Sequence, residues 1–352
     1  MTLDDNRLER AWALAEAFVG DGSLETAGLG IATSAGMTSR LFSAEGKPGL
    51  TDRHLFLLAS ISKPITGLAI MRLVEQGKLV LSQPIQQIIP EFAAPGKPDL
   101  TPWHLMTHTS GLPDLPWERA GQDDFTEAAL LAHSYRAVPQ FRPGTHWQYN
   151  TLTFYLLGEL VERLDGRPLE TFLREAVLGP IGVSGIGLNP ATLDGPAVTP
   201  RGLSPSASFT AEQAMQIMIG AAMPGAGFWS DMASLLGLGQ ALLRDARDGQ
   251  ARVLAQPTLD LMTTLHTEGI PKYELPATTD GRYGLTWHKP TTLRERTMPG
   301  SASAFNHSGA TGTVLWVDPQ ADLAVVFLTN HWGIGDDYWS RCLQAVYAAW
   351  RR

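Results

Sequence analysis

The 352-residue chain has a single cysteine, Cys342. One thiol excludes an internal disulfide and a cysteine metal cluster. It falls on the apolar face of a C-terminal helical pattern, where it reads as a small buried hydrophobe rather than a nucleophile. The nine histidines show neither H-E-x-x-H nor another metal-ligand spacing, so no metal is expected. Glycine-rich stretches such as Gly225-Ala226-Gly227 lack the flanks of a phosphate loop, and no organic cofactor is expected. No apolar run reaches membrane-spanning length, so no membrane partner is expected. Residues 1–6 carry neither the basic start nor the apolar segment of a secretory leader, which predicts a cytoplasmic protein. Charged residues make up only 18% of the chain and the net charge is −8, which argues against nucleic acid as the main partner. Internal repeats and low-complexity tracts are also missing.

What the chain does have is apolar content, 44%, over a length that can bury a large core in one domain or two lobes. Leu8, Ala11, Trp12, Ala15, Phe18 and Val19 recur at helical spacing over residues 7–19. Leu29–Thr33 and Met37–Phe42 read as strands joined through Gly36. Residues 80 to about 230 read as short helices and Pro/Gly-rich loops, with a helix opening at Thr101-Pro102 and loop-like stretches at Ser204–Ser208 and Met223–Gly227. Leu235–Leu243 is helical. Thr313–Val317 and Leu323–Thr329, linked by Asp318-Pro319-Gln320, form an antiparallel hairpin. A last helix buries Tyr338, Cys342, Val346 and Trp350 and ends in Arg351-Arg352, favourable for its dipole. Strands at both chain ends around a helical middle predict an α+β fold. One antiparallel sheet, built from both ends and flanked by helices, carries an inserted, mostly helical lobe. The sheet-containing lobe would span about 1–80 and 232–352, and the helical lobe about 81–231.

Ser60-Ile61-Ser62-Lys63 follows the apolar run Leu55–Ala59 and opens a helical pattern that Gly77 would end. The apolar face of this helix would be Ile61, Ile65, Leu68, Ala69 and Val74, with Pro64 tolerated only in the first turn. Serine and lysine three positions apart share one helix face. There a lysine amine can take the hydroxyl proton if burial or a neighbouring cation keeps it neutral. Free backbone N–H groups at the positive helix end complete an activated serine that needs no histidine–aspartate pair. S-x-x-K alone occurs by chance about once in a few hundred residues, so its meaning rests on what accompanies it.

Pro143-Gly144-Thr145-His146-Trp147-Gln148-Tyr149-Asn150 precedes an apolar helix, and Phe305-Asn306-His307-Ser308-Gly309-Ala310-Thr311-Gly312 leads into the hairpin. With Leu105-Met106-Thr107-His108-Thr109-Ser110-Gly111-Leu112 and Trp316-Val317-Asp318-Pro319 running on to Leu328-Thr329-Asn330, the chain resembles the serine β-lactamase and penicillin-recognising superfamily from about residue 25 to its end. Its features are similar to the class C β-lactamase-like branch, which includes carboxylesterases, D-aminopeptidases and transesterases. The resemblance implies Ser60 as nucleophile, Lys63 as its base or base partner, and Tyr149 as a phenolate, or a phenol polarised by Lys63, that relays the proton to the leaving group. It implies an oxyanion hole from the Ser60 and Ala310 amides. His307, Ser308 and Gly309 would line the substrate site, the glycine allowing close approach to the strand backbone. Asn150, Thr151 and Trp287 would also face substrate. Trp229 and Tyr283 are further candidates for an acyl pocket, whereas His108 reads as a structural hydrogen-bonding residue.

Two departures from the family pattern bear on substrate. His307 stands where the family has a lysine that would pair with a carboxylate, and histidine is mostly neutral at pH 7. Thr151 stands where the family has an asparagine able to hold an amide through donor and acceptor together. Both predict a small-molecule ester substrate and a carboxylesterase. The rivals are a β-lactamase, a D-aminopeptidase, an acyltransferase and, outside enzymes, a sensor that acylates and stalls.

Overall fold

The computed structural model describes residues 2–47, 49–93, 97, 99–115, 125–202, 210–273, 282–290 and 298–351. The expected loop at Ser204–Ser208 lies outside them. Five strands form the main sheet: β1 (Thr26–Ala32), β2 (Met37–Ser43), β3 (Phe305–Gly309), β4 (Thr313–Asp318) and β5 (Leu323–Leu328). Their order is β2-β1-β5-β4-β3, with every neighbouring pair antiparallel. The two N-terminal strands therefore join the three C-terminal ones in one sheet, through β1 against β5.

The helices that position the site are α1 (Asp5–Gly20), α2 (Ser62–Glu75), α3 (Thr153–Asp165), α4 (Met232–Asp248) and α5 (Asp337–Ala348). Period-two side-chain alternation makes the sheet apolar on both faces. Val314, Trp316, Val325 and Phe327 pack with α1 and α5, whereas Leu315, Val317, Ala324, Val326 and Leu328 join the larger core that holds α2, α3 and α4. Each buried Val, Leu or Phe side chain among these contributes about 1.5–3 kcal/mol. Residues 102–181 supply short helices and one long one, α3, which packs on α2. No helix among the described residues is long and apolar enough to cross a membrane.

Three expectations shift. Helix α2 begins at Ser62, with Ser60 in the preceding tight turn Ala59–Ile61. It is buried on nearly all sides from Ser62 to Met71, because α3, the helical turns at 169–178 and 256–263 and the 223–229 segment enclose it. At the C-terminus α5 stops at Ala348, buries Trp339 and Leu343 with Cys342 and Val346, and leaves Tyr338 half-buried. Trp350–Arg351 is a short strand paired with Thr2–Leu3, so Trp350 belongs to no helix and the helix ends before Arg351.

Candidate active site

Ser60 projects from a turn fixed on both sides. Just upstream, Phe56–Leu57 pairs with Trp229–Ser230, and Leu58 N–H donates to the Phe228 carbonyl at 2.8 Å. From the sheet, the Thr311 hydroxyl donates to the Leu57 carbonyl at 2.7 Å and the Thr313 hydroxyl to the Leu58 carbonyl at 3.1 Å. Ala59 adopts a left-handed φ of +47°, a conformation that disfavours a residue with a Cβ by about 1–2 kcal/mol. The flanking hydrogen bonds hold it there. A Cβ at Gly309 would sit 2.2 Å from the Leu58 carbonyl oxygen. The glycine thus serves the close approach of the Ser60 turn to β3, and it also lines the cavity beside Ser60.

Lys63 lies one helical turn on and is fully buried. Its Nζ is 3.4 Å from Ser60 Oγ, 3.1 Å from Thr151 Oγ1 and 2.9 Å from the Gly225 carbonyl oxygen. It also stands 4.5 Å above the centre of the Tyr149 ring. Burial pushes the amine down from its ordinary 10.5 to about 7, against an opposing pull from the Asp114 carboxylate. Near neutral pH roughly half the molecules therefore carry a free amine. In that state the Gly225 carbonyl, which can only accept, must receive one N–H. With Thr151 receiving the second, the lone pair is left for the Ser60 hydroxyl. The 223–229 segment, expected only as a loop, is what encloses this amine. Pro224 accepts from the Thr66 hydroxyl at 2.6 Å, and Phe228 N–H donates to Ser62 Oγ at 3.0 Å.

Tyr149 precedes α3, whose entry is secured from a distance. Asp114 Oδ1 accepts from the Thr151 and Leu152 N–H groups at 2.6 and 3.1 Å, a negative charge at the positive end of a helix. Asn150 Oδ1 accepts from Thr153 N–H at 2.9 Å, and its Nδ2 donates to the Leu112 carbonyl at 2.7 Å. Asn150 is thereby spent on local structure, and the expectation that it binds substrate is corrected. Thr151, at the neighbouring position, turns to Lys63 instead. His108, at φ +60°, accepts Asn150 N–H at its Nδ1 (3.2 Å) and Gln148 N–H at its carbonyl (2.9 Å), clamping the backbone on both sides of Tyr149. The Tyr149 phenol is raised well above its ordinary range by burial, partly offset by a hydrogen bond with Ser60. It is a neutral phenol at pH 7, not a phenolate.

Across the cavity, His307 on β3 is uncharged. Its Nδ1 lies 2.7 Å from the Ser308 carbonyl and must carry the proton, so Nε2 accepts the Tyr283 hydroxyl at 2.6 Å. Burial, with His288 and Lys63 nearby, holds its pKa well below 6.5. Both ring nitrogens are thus satisfied within the protein, and the expected polar contact of His307 with substrate is not available from them. A cavity of about 430 Å³ opens between these elements. Ser60, Tyr149, His307, Ser308, Gly309 and Ala310 line it, with His288, Gly333, Gly335 and Asp336 completing its wall. Of the expected pocket aromatics, Trp287 and Trp229 are 0% exposed. Trp287 stacks edge-on against Phe305 at 4.9 Å inside the main core, which corrects its placement in the substrate site. Tyr283 is buried and committed to His307.

Sequence reasoning missed Asp114, His288, Asp336 and the enclosing Gly225 carbonyl. A proline-flanked aspartate in Gly111-Leu112-Pro113-Asp114 was the one local signal for the first. The others depend on chain segments meeting from far apart.

The fold is that of solved penicillin-binding-protein homologues and carboxylesterases. A family VIII carboxylesterase structure superposes with a TM-score of 0.81 at 22% identity over 99% of both chains. A penicillin-binding-protein homologue from Caulobacter crescentus does so with a TM-score of 0.78 at 23% identity, also over 99% of both. Residues 13–339 match the Beta-lactamase family model, and the chain belongs to that family of hydrolases. Among curated relatives, esterase EstB of Burkholderia gladioli is 38% identical over 159 residues, 40% of each chain. An N-acetylmuramyl-L-alanine amidase of Bacillus subtilis is 28% identical over 80% of this chain and 69% of its own length. The esterase match spans only about two fifths of that protein.

Proposed function

We propose that the protein is a serine carboxylesterase acting on small, uncharged esters through an acyl-enzyme. The observation that carries this reading is the buried Lys63 amine, held near neutrality 3.4 Å from Ser60 Oγ. Ser60 attacks the ester carbonyl while its proton passes to Lys63. The oxyanion rests on the Ser60 and Ala310 amides. The leaving alkoxide takes up a proton from the Lys63–Tyr149 pair and departs as the alcohol. Water then hydrolyses the Ser60 ester and returns the serine. Thr151 in place of an amide-holding asparagine supports esters over amides, as does the identity to an esterase, the highest among the relatives described.

A second reading, an amide hydrolase, is favoured by one fact: the amidase relative aligns over twice as much of this chain as the esterase does. Turnover of nitrophenyl butyrate beside a chromogenic cephalosporin and a D-amino-acid nitroanilide separates them. The ester reading expects release of nitrophenol that Ser60→Ala abolishes with the fold intact. Retained turnover in that variant, or faster amide than ester hydrolysis, overturns it.

A further inference from the structure

We propose that His288 is the hydrogen-bonding side chain that meets substrate on the strand side of the cavity, and that with Asp336 it selects uncharged substrates over carboxylate-bearing ones. The inference rests on the Ser60 esterase reading and specifies its substrate class.

Three observations carry it. His307, the strand residue expected there, has both nitrogens engaged within the protein. His288 is the polar neighbour it leaves uncovered. Its backbone bridges to Asn306, its ring packs 4.6 Å from Tyr283 and 4.9 Å from His307, and it lines the same cavity as Ser60 and Tyr149. Among the described residues its imidazole makes no hydrogen bond, so one donor and one acceptor remain for whatever enters. Burial, with Lys272 and Lys63 nearby, pushes its pKa down to about 4, which leaves it uncharged at pH 7.

The cavity wall also carries Asp336, exposed at its rim. One of its oxygens accepts from Trp339 Nε1 at 2.8 Å. Its loop is tied to the strand side by Gly333 N–H donating to the Ala310 carbonyl at 2.7 Å. Among the described residues the cation within reach of Ser60 Oγ is Lys63, which is fully enclosed, and Lys272, near His288, does not line the cavity. A carboxylate entering the cavity would therefore lose water, meet a neutral imidazole and face another carboxylate, with no cationic side chain among the lining residues to repay it. A neutral ester meets a donor and an acceptor.

The test compares His288→Lys, His288→Gln and His307→Lys in the full chain on two matched substrate pairs. Nitrophenyl butyrate against the nitrophenyl monoester of succinate moves the charge to the acyl side. Phenyl acetate against acetoxybenzoate moves it to the alcohol side. Rates of Ser60 acylation are followed by intact mass as well as turnover. His288→Lys is expected to raise the carboxylate-to-neutral ratio in at least one pair by about tenfold, the scale of one charge-assisted hydrogen bond. His288→Gln, uncharged, is expected to keep both ratios. His307→Lys, whose side chain enters between Tyr283 and Ser308, is expected to lower Tm without moving the ratio. Unchanged ratios in His288→Lys, or a shift produced by His307→Lys instead, overturn the proposal. So does loss of acylation with every substrate in His288→Gln, which would mean that His288 serves the chemistry and not selection. Absence of both nitrophenol release and a Ser60 adduct in the wild type removes the esterase reading itself, a result distinct from these.

Discussion

Replacing Lys63 with methionine isolates the claim on which the mechanism depends, that the amine is uncharged when buried. The folded amine titrates at about 7 against an ordinary 10.5. Below pH 7 both folded and unfolded states bind the proton, and the folded state bears the full penalty of a buried ammonium. Between the two values the unfolded chain binds more protons. Stability of the wild type therefore rises with pH, by about 1.4 kcal/mol per pH unit. Integrated across the window, the gain is about 5 kcal/mol, complete only above the unfolded value. Lys63→Met has no such titration. It loses the hydrogen bonds to Gly225 and Thr151 as well, but that loss is a nearly constant offset. Equilibrium urea unfolding of both proteins from about pH 6 to about pH 10 reads the difference. The expected result is a wild-type stability that climbs relative to the variant by about 3 kcal/mol or more over that range. A flat difference would mean that the amine keeps its ordinary affinity for protons, and the proton-acceptor role would fall with it.

In the proposed mechanism the same titration sets the rate. The kcat/KM for ester hydrolysis should rise with pH and level off above an apparent pKa near 7, as Lys63 loses its proton; a pH-independent rate between about pH 5 and 9 would argue for another base. Asp114→Asn removes the charge that raises the Lys63 pKa while leaving an oxygen for Thr151 N–H, so the acidic limb should move to lower pH. An upward shift in that profile would reverse the assigned sign. Gly309→Ala drives a Cβ into the Leu58 carbonyl, and is expected to cut kcat by about 100-fold or more through displacement of the nucleophile turn; wild-type kcat would show that the contact relaxes without consequence. Thr151→Asn restores an amide beside Lys63 and is expected to raise amide relative to ester turnover. An unchanged ratio in that assay would detach substrate class from this position.

The order of elements was legible because it rests on local periodicity. The short apolar runs within Thr313–Asp318 and Leu323–Leu328, split by a turn at Pro319, and the helical spacing of Leu8, Trp12, Ala15 and Val19 are properties of short windows. So was the serine–lysine pair, since three residues of near-helical chain leave the two side chains on one side. Trp350 marks the limit of this kind of reading. Its spacing continues the helix of Cys342 and Val346, but pairing with Thr2–Leu3, at the opposite end of the chain, drew it into a strand. Trp287 was misplaced for a related reason: an aromatic in a pocket and an aromatic in the core have the same local pattern.

The sequence by itself pointed to the groups proposed to do chemistry: a hydroxyl, an amine, a phenol and the strand that ends at Gly309. What state those groups are in was decided by tertiary structure. The Lys63 amine is depressed toward neutrality because Gly225 from one segment and Thr151 and Phe154 from another exclude water from it, and desolvation is a property of the assembled surroundings. Which histidine is free was settled in the same way. His307 and His288 are equivalent as letters; Tyr283 and the Ser308 carbonyl satisfy one and leave the other open to the cavity. Hydrogen-bonding capacity belongs to the residue, but whether it is already used depends on neighbours that only folding brings together.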